Sequence, residues 1–167
     1  MINTPQQDII LEDIDDKRYN LRALNNQWLL VINSASACGF SGQISELIDQ
    51  QEKIKCLNLT VIIMPSNDFS QEPLRVEELK KKYTYRKKGP FIVCKPCIIN
   101  GDNQHPLYRQ LAHQSHGIFM QKRILWNFTK FIISPHQVQI KRLASWRSIE
   151  YTLRLLGKMQ AMLEINK

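Results

Sequence analysis

The sequence predicts an α/β fold: a mixed central β-sheet flanked by helices, with an N-terminal β-hairpin. Three observations carry this expectation. Apolar runs rich in β-branched residues, too short for helices, recur along the chain. Segments of helical period separate them, and a late pair of extended runs about a proline turn leads into a closing helix. The 167 residues suit a single domain spanning 1–167, long enough to bury a core.

Each element follows from its own residues. Asp8 to Ile14 and Tyr19 to Leu24 read as a β-hairpin with Asp15, Asp16 and Lys17 at the turn. Gln27 to Asn33 (QWLLVIN) is almost continuously apolar and suits a central strand buried on both faces. Ser34 to Phe40 is a stretch of small residues around one cysteine. Beyond it Ile44, Leu47 and Ile48 share a helical face, with polar Gln50, Gln51 and Glu52 following. Leu57 to Met64 is a second buried strand, Pro65 to Pro73 a loop and Val76 to Tyr83 a short charged helix. Pro90 to Ile99 reads as extended up to an Asn100-Gly101 turn, and Pro106 opens a helix over Leu107 to Ala112. Phe128 to Ser134 and Gln137 to Leu143 form a hairpin about Pro135-His136. The last helix carries Ile149, Leu153, Leu156 and Leu163.

Composition narrows the function classes. With 43% apolar and 23% charged residues, no repeat and no biased tract, the chain is neither fibrous nor disordered. Met1 to Ile9 has neither a basic segment nor an apolar run, and the longest apolar stretch, around Val61 to Met64, cannot cross a bilayer. A cytoplasmic setting with reduced cysteines is the expectation. The net charge of +8 concentrates in Lys80, Lys81, Lys82, Arg86, Lys87 and Lys88, and again in Lys122, Arg123, Lys141 and Arg142. Such runs read first as a solvated cationic face. An anionic membrane surface or an anionic small thiol is the partner it would attract, and nucleic acid is not expected.

Chemistry points to the cysteines. Cys38 follows a buried strand and precedes a helix, where unpaired N–H groups favour the thiolate, the form that hydroperoxides oxidise to sulfenic acid. An exposed, solvent-reachable sulfur is therefore expected. Cys38-Gly39-Phe40-Ser41 also spells the C-G-F-S string of monothiol glutaredoxins, which keeps an iron–sulfur and glutathione-binding reading as the alternative, beside a non-enzymatic redox sensor. Cys56, just before a buried strand, reads as structural. Cys94-Lys95-Pro96-Cys97 is a C-x-x-C, and His113 and His116 downstream raise the possibility of zinc; neither a redox pair nor a metal site is the leading reading, and no metal is expected.

Three segments reach further. VINSASACGF (Val31 to Phe40), NDFSQEP (Asn67 to Pro73) and WNFTKF (Trp126 to Phe131), with Asn100-Gly101 and Pro106-Leu107-Tyr108 between them, resemble the glutathione peroxidase family in order and spacing. The likeness runs from about Asp8 into the final helix. It implies a thioredoxin-like fold and a thiol-dependent peroxidase that reduces hydrogen peroxide or organic and lipid hydroperoxides. Cys38 looks like the peroxidatic residue, and Gln71, Trp126 and Asn127 like its three partners, all neutral donors that would converge on the sulfur. The resemblance implies no resident cofactor, with glutathione or thioredoxin as the reducing cosubstrate.

The chain departs from the family at informative points. Its F-G-x-Q-E-P stretch is one residue shorter here, Phe69-Ser70-Gln71, and has lost a glycine. Ser66 stands where a cysteine is common. Lys80-Lys81-Lys82-Tyr83 occupies the helix in which thioredoxin-dependent members carry a resolving cysteine. No assembly insertion separates Tyr83 from Asn100, which predicts a monomer or loose dimer.

Overall fold

The computed structural model describes residues 8–85, 89–115 and 122–165. Five strands form the central sheet in the order β5-β4-β3-β6-β7, with β3 (Trp28–Ser34), β4 (Leu59–Pro65), β5 (Phe91–Val93), β6 (Lys130–Ile133) and β7 (Ile140–Leu143). The first three are mutually parallel, β6 runs antiparallel to β3, and β7 runs antiparallel to β6 and so parallel to the first three. Every residue of β3 and β4 is buried, as a strand covered on both faces requires.

Alternation along the strands divides the core in two. Leu30, Ile32, Val61, Ile63 and Ile132 face α1 (Gln43–Asp49), α2 (Gln51–Cys56), α3 (Val76–Lys82) and α5 (Ile149–Ile165), which add Ile44, Leu47, Ile54, Leu79 and Leu153. Leu29, Val31, Ile62, Met64 and Phe131 face the other way. They pack with Leu107, Tyr108 and Leu111 of α4 (Pro106–Gln114) and with Leu11 of the hairpin.

The hairpin joins β1 (Ile10–Glu12) to β2 (Arg18–Asn20) and is shorter than the sequence predicts. Asp13 Oδ1 accepts from the N–H groups of Asp15 and Lys17, and Asp16 adopts a left-handed φ of 66°, so the aspartates make the turn. The expected extended run from Pro90 to Ile99 keeps only three residues in the sheet. Beyond Val93 the N–H groups go to three different places, Cys94 to Ile63, Lys95 to Glu12 and Cys97 to Pro65, and Pro96 has none to give. The polar residues after α1, expected to lie beyond the helix, instead wind into α2 around the single buried residue Ile54. Among the described residues no helix is long and apolar enough to cross a membrane. Arg86, Lys87, Lys88 and His116 lie outside them.

Candidate functional site

β3 delivers its C-terminal end to the loop that carries Cys38. The helix expected a few residues beyond the cysteine opens at Gln43. Between them a chain of tight turns runs from Cys38 N–H to Ala35 O (3.3 Å), Ser41 N–H to Cys38 O (2.9 Å) and Gln43 N–H to Phe40 O (3.0 Å). Gly39 and Gly42 have poor helix propensity, which fits turns rather than a regular first helical turn here. The expected exposure is corrected. Cys38 is 3% exposed and belongs to the apolar cluster with Ala35 and Ile44, although its neighbours Ala37 and Gly39 are open to solvent. Small side chains let the loop fold close over the sheet, and the tight turn from Ala35 tucks the thiol inward. No hydrogen bond reaches its Sγ among the described residues.

A second loop, after β4, closes against the first. The Ala37 N–H donates to the Gln71 carbonyl at 2.9 Å, which sets Gln71 beside the cysteine turn. The shortened segment manages this by turning tightly: Ser70 N–H donates to Asn67 O at 2.9 Å, and Ser70 takes a left-handed φ of 56°. Glu72, to which the sequence reading gave no role, is buried and grips the cysteine loop. Its Oε2 accepts from Ser36 N–H (2.9 Å) and Ser36 Oγ (3.0 Å), its Oε1 from Leu74 N–H, and its own N–H donates to Asn67 Oδ1 at 2.9 Å. The available signal was its adjacency to Gln71 in Q-E-P.

The third segment enters from the start of β6. Asn127 is fully buried, and its Nδ2 donates to Gln71 Oε1 at 2.9 Å across 56 positions of sequence. That bond leaves the Gln71 amide nitrogen free to donate, while Asn127 Oδ1 is buried without a partner. Asn33 at the end of β3 supports the turn: its Nδ2 donates to Trp126 O at 3.2 Å, and its carbonyl accepts Phe128 N–H at 2.7 Å. Trp126 is 43% exposed, and its ring lies against Phe69 with centroids 5.3 Å apart. The structure thus unites Gln71 and Asn127 next to the Cys38 turn and leaves Trp126 partly open to solvent against Phe69.

With this geometry in hand, comparison with known proteins is decisive. The family model described as glutathione peroxidase matches residues 7–112. The chain belongs to the glutathione peroxidase family. It is 31% identical over 136 residues to a glutathione peroxidase homolog BsaA of Staphylococcus epidermidis, covering 81% of this chain and 85% of that one. It is 34% identical over 137 residues to a probable glutathione peroxidase 2 of Arabidopsis thaliana, covering 81% and 80%. Among solved structures, the apo form of Trgpx superposes with a TM-score of 0.71 at 29% identity, covering 90% and 92%. The fold is thioredoxin-like, and the chain is a peroxidase-type thiol oxidoreductase. The C-G-F-S string does not define it.

The other cysteines decide whether Cys38 has an internal disulfide partner. All four are free. Cys94 and Cys97 pack with the cluster on the α4 face of the sheet, opposite to Cys38. Burial pushes the Cys97 thiol up to about 12 and the Cys94 thiol higher still, so both resist ionisation. Cys56, expected to be structural, is exposed: it ends α2 two positions past the buried Ile54, on the outer side of the helix. It also lies at the N-terminal edge of the parallel strands, whereas Cys38 lies past their C-terminal edge. Seven strand residues put roughly 20 Å between those edges. A disulfide needs Cα atoms within about 7 Å, so Cys56 does not reach Cys38 in this fold, while Cys94 and Cys97 pack on the other face of the sheet from it. At the end of the Lys80 to Tyr83 stretch, Tyr83 is fully buried and bonded to Ser34 Oγ at 3.2 Å, its hydroxyl pushed up to about 12 mainly by burial. Among the described residues no group of three or more His, Cys, Asp or Glu could hold a metal; His113 is exposed on α4.

Proposed function

We propose that this family member is a single-cysteine peroxidase, with Cys38 as the peroxidatic residue and an external thiol as the only route of recycling. The reading is carried by Gln71: its backbone accepts from the cysteine turn, its side-chain oxygen is held by Asn127, and its amide nitrogen remains available. Neutral donors set beforehand around the reacting atoms stabilise the charge that passes from sulfur to the leaving oxygen. Trp126 lies at the rim and supplies an indole N–H and an apolar wall to an incoming peroxide.

The Cys38 thiolate attacks the terminal oxygen of the hydroperoxide. An S–O bond forms, the O–O bond breaks with its electron pair leaving on the distal oxygen, and that alkoxide or hydroxide takes a proton to give alcohol or water. Sulfur is oxidised to the sulfenic acid. One thiol condenses with it, releasing water and leaving a mixed disulfide. A second thiol attacks that disulfide and regenerates Cys38 with release of the external disulfide. Hydrogen peroxide and organic or lipid hydroperoxides are the substrate class. The nearly covered sulfur favours the smaller of these.

Glutathione suits the reductant role better than thioredoxin. No internal disulfide involving Cys38 is available for thioredoxin to reduce. In addition, a cleft of about 690 Å³ beside α4, lined by Lys122, Arg123 and His113 together with Asp68 and Asn100, carries cationic groups that would draw in a carboxylate-bearing thiol. The test is peroxide consumption with glutathione as sole donor. Cys38→Ser should abolish it, and a variant with Cys56, Cys94 and Cys97 all replaced by alanine should retain it. Turnover that survives Cys38→Ser, or vanishes in the triple variant while Cys38 still oxidises, overturns the reading.

A further inference from the structure

Lys130, the first residue of β6, is fully buried. Its stem runs between apolar cross-strand partners, Ile32 on β3 and Leu143 on β7. Nζ donates to Phe128 O at 2.9 Å and to Ser145 O at 3.2 Å. The Ser145 carbonyl also accepts Gln43 Nε2 from α1 at 2.8 Å, so one oxygen joins the helix after Cys38 to the first residue of β6. Glu46 of α1 is the charged group whose field acts on Lys130, and its carboxylate is in turn held by Ile149 N–H at 3.0 Å. β3 carries no titratable side chain, and Lys141 and Arg142 of β7 and Glu150 of α5 sit at exposed or half-exposed positions.

A buried ammonium is costly, and a methionine of similar volume would fill the same space without that cost. What the Nζ donor does here is visible two residues away. Phe128, a buried aromatic, holds a left-handed φ of 62°, a conformation that bulky residues keep only when their surroundings over-determine it. Its N–H is taken by Asn33 and its carbonyl by Lys130. Asn127 lies immediately before it, with one amide atom on Gln71 and the other unpartnered, so its aim depends on this backbone.

We propose that Lys130 is a positioning residue of the peroxidatic site, pinning the Phe128 carbonyl and thereby holding Asn127 against Gln71. The inference rests on the role given above to Cys38, Gln71 and Asn127. It is tested by a double-mutant cycle on the full chain, reading the rate of Cys38 oxidation by hydrogen peroxide in stopped flow. Lys130→Met should slow oxidation about tenfold in the parent and less than twofold in an Asn127→Ala background, since the residue acts through Asn127. Lys130→Gln, which keeps one neutral donor, should recover part of the rate, and it replaces Lys130→Met in the cycle if that variant does not fold. An equal loss in both backgrounds, or none in the parent, overturns the proposal. An Asn127→Ala variant that oxidises at the parental rate overturns the role of Asn127 itself, a separately readable result.

Discussion

Ser36 closes on Glu72 twice, its N–H and its hydroxyl both donating to Oε2, at 2.9 and 3.0 Å. The cysteine turn is thus tied to the Gln71 loop by a charged acceptor as well as by the Ala37–Gln71 backbone bond. Hydrogen bonds to a buried charged group are the strong kind, and deleting the acceptor leaves the half-buried Ser36 donors without it. Glu72→Ala should cost about 2–3 kcal/mol in urea unfolding and slow Cys38 oxidation, while Glu72→Gln keeps part of both. A stability loss with an unchanged oxidation rate would show that Glu72 supports the fold without shaping the site.

The sheet, its helices and the family were legible in the sequence because they rest on patterns that survive in one dimension. β-branched runs wrote β3 and β4, the Pro135-His136 turn wrote the β6–β7 hairpin, and three ordered segments wrote the family. The meeting of Gln71 with Asn127 followed from the resemblance as well. What the chain could not reveal is set by long-range contacts. The burial of Cys38 depends on how the loop folds over the sheet. The exposure of Cys56 depends on the phase of α2, and the separation of Cys94 and Cys97 from Cys38 depends on which side of β5 they face. Glu72 and Lys130 were passed over because a charge gains its meaning from the backbone atoms it meets, and these lie 36 and 15 residues away at the far partners.

Ser70 carries strain left by the shortened loop. A serine at φ 56° occupies the region that glycine enters at little steric cost. Ser70 is exposed and no hydrogen bond involves its side chain among the described residues, so Ser70→Gly removes little beyond the strain. The variant should unfold at slightly higher temperature, with a gain of about 0.5–1 kcal/mol, and turn over peroxide at the parental rate or faster. A lower melting temperature would mean that the unfolded-chain entropy of glycine outweighs the relief.

Trp126 separates a chemical role from a packing one. Half exposed and touching Phe69 at 5.3 Å, its ring should contribute only about 0.5–1.5 kcal/mol to stability through that pair. Trp126→Phe keeps the ring contact and removes the indole N–H. If the N–H assists the peroxide, this variant should melt near the parent and lose about tenfold in the oxidation rate of Cys38. Equal rates for parent and variant would reduce Trp126 to an apolar wall.

Lys130 makes stability depend on pH in a direction fixed by its burial. Desolvation lowers its pKa from 10.5 to about 7, against the weaker opposing pull of Glu46. Between those two values the unfolded chain holds a proton that the folded chain releases, so stability rises with pH across that window. Below about 7 both states are charged, and the full cost of burying the ammonium is present. Replacing the side chain by methionine removes this titration but not those of Tyr83 or Cys97, so the comparison isolates Lys130. The stability of the parent relative to Lys130→Met should therefore improve by several kcal/mol, on the order of 3–5, from about pH 6.5 to about pH 10. Urea unfolding of both proteins at several pH values across the window measures it. Two curves that stay parallel would mean that Lys130 keeps its proton throughout, held by the Phe128 and Ser145 carbonyls.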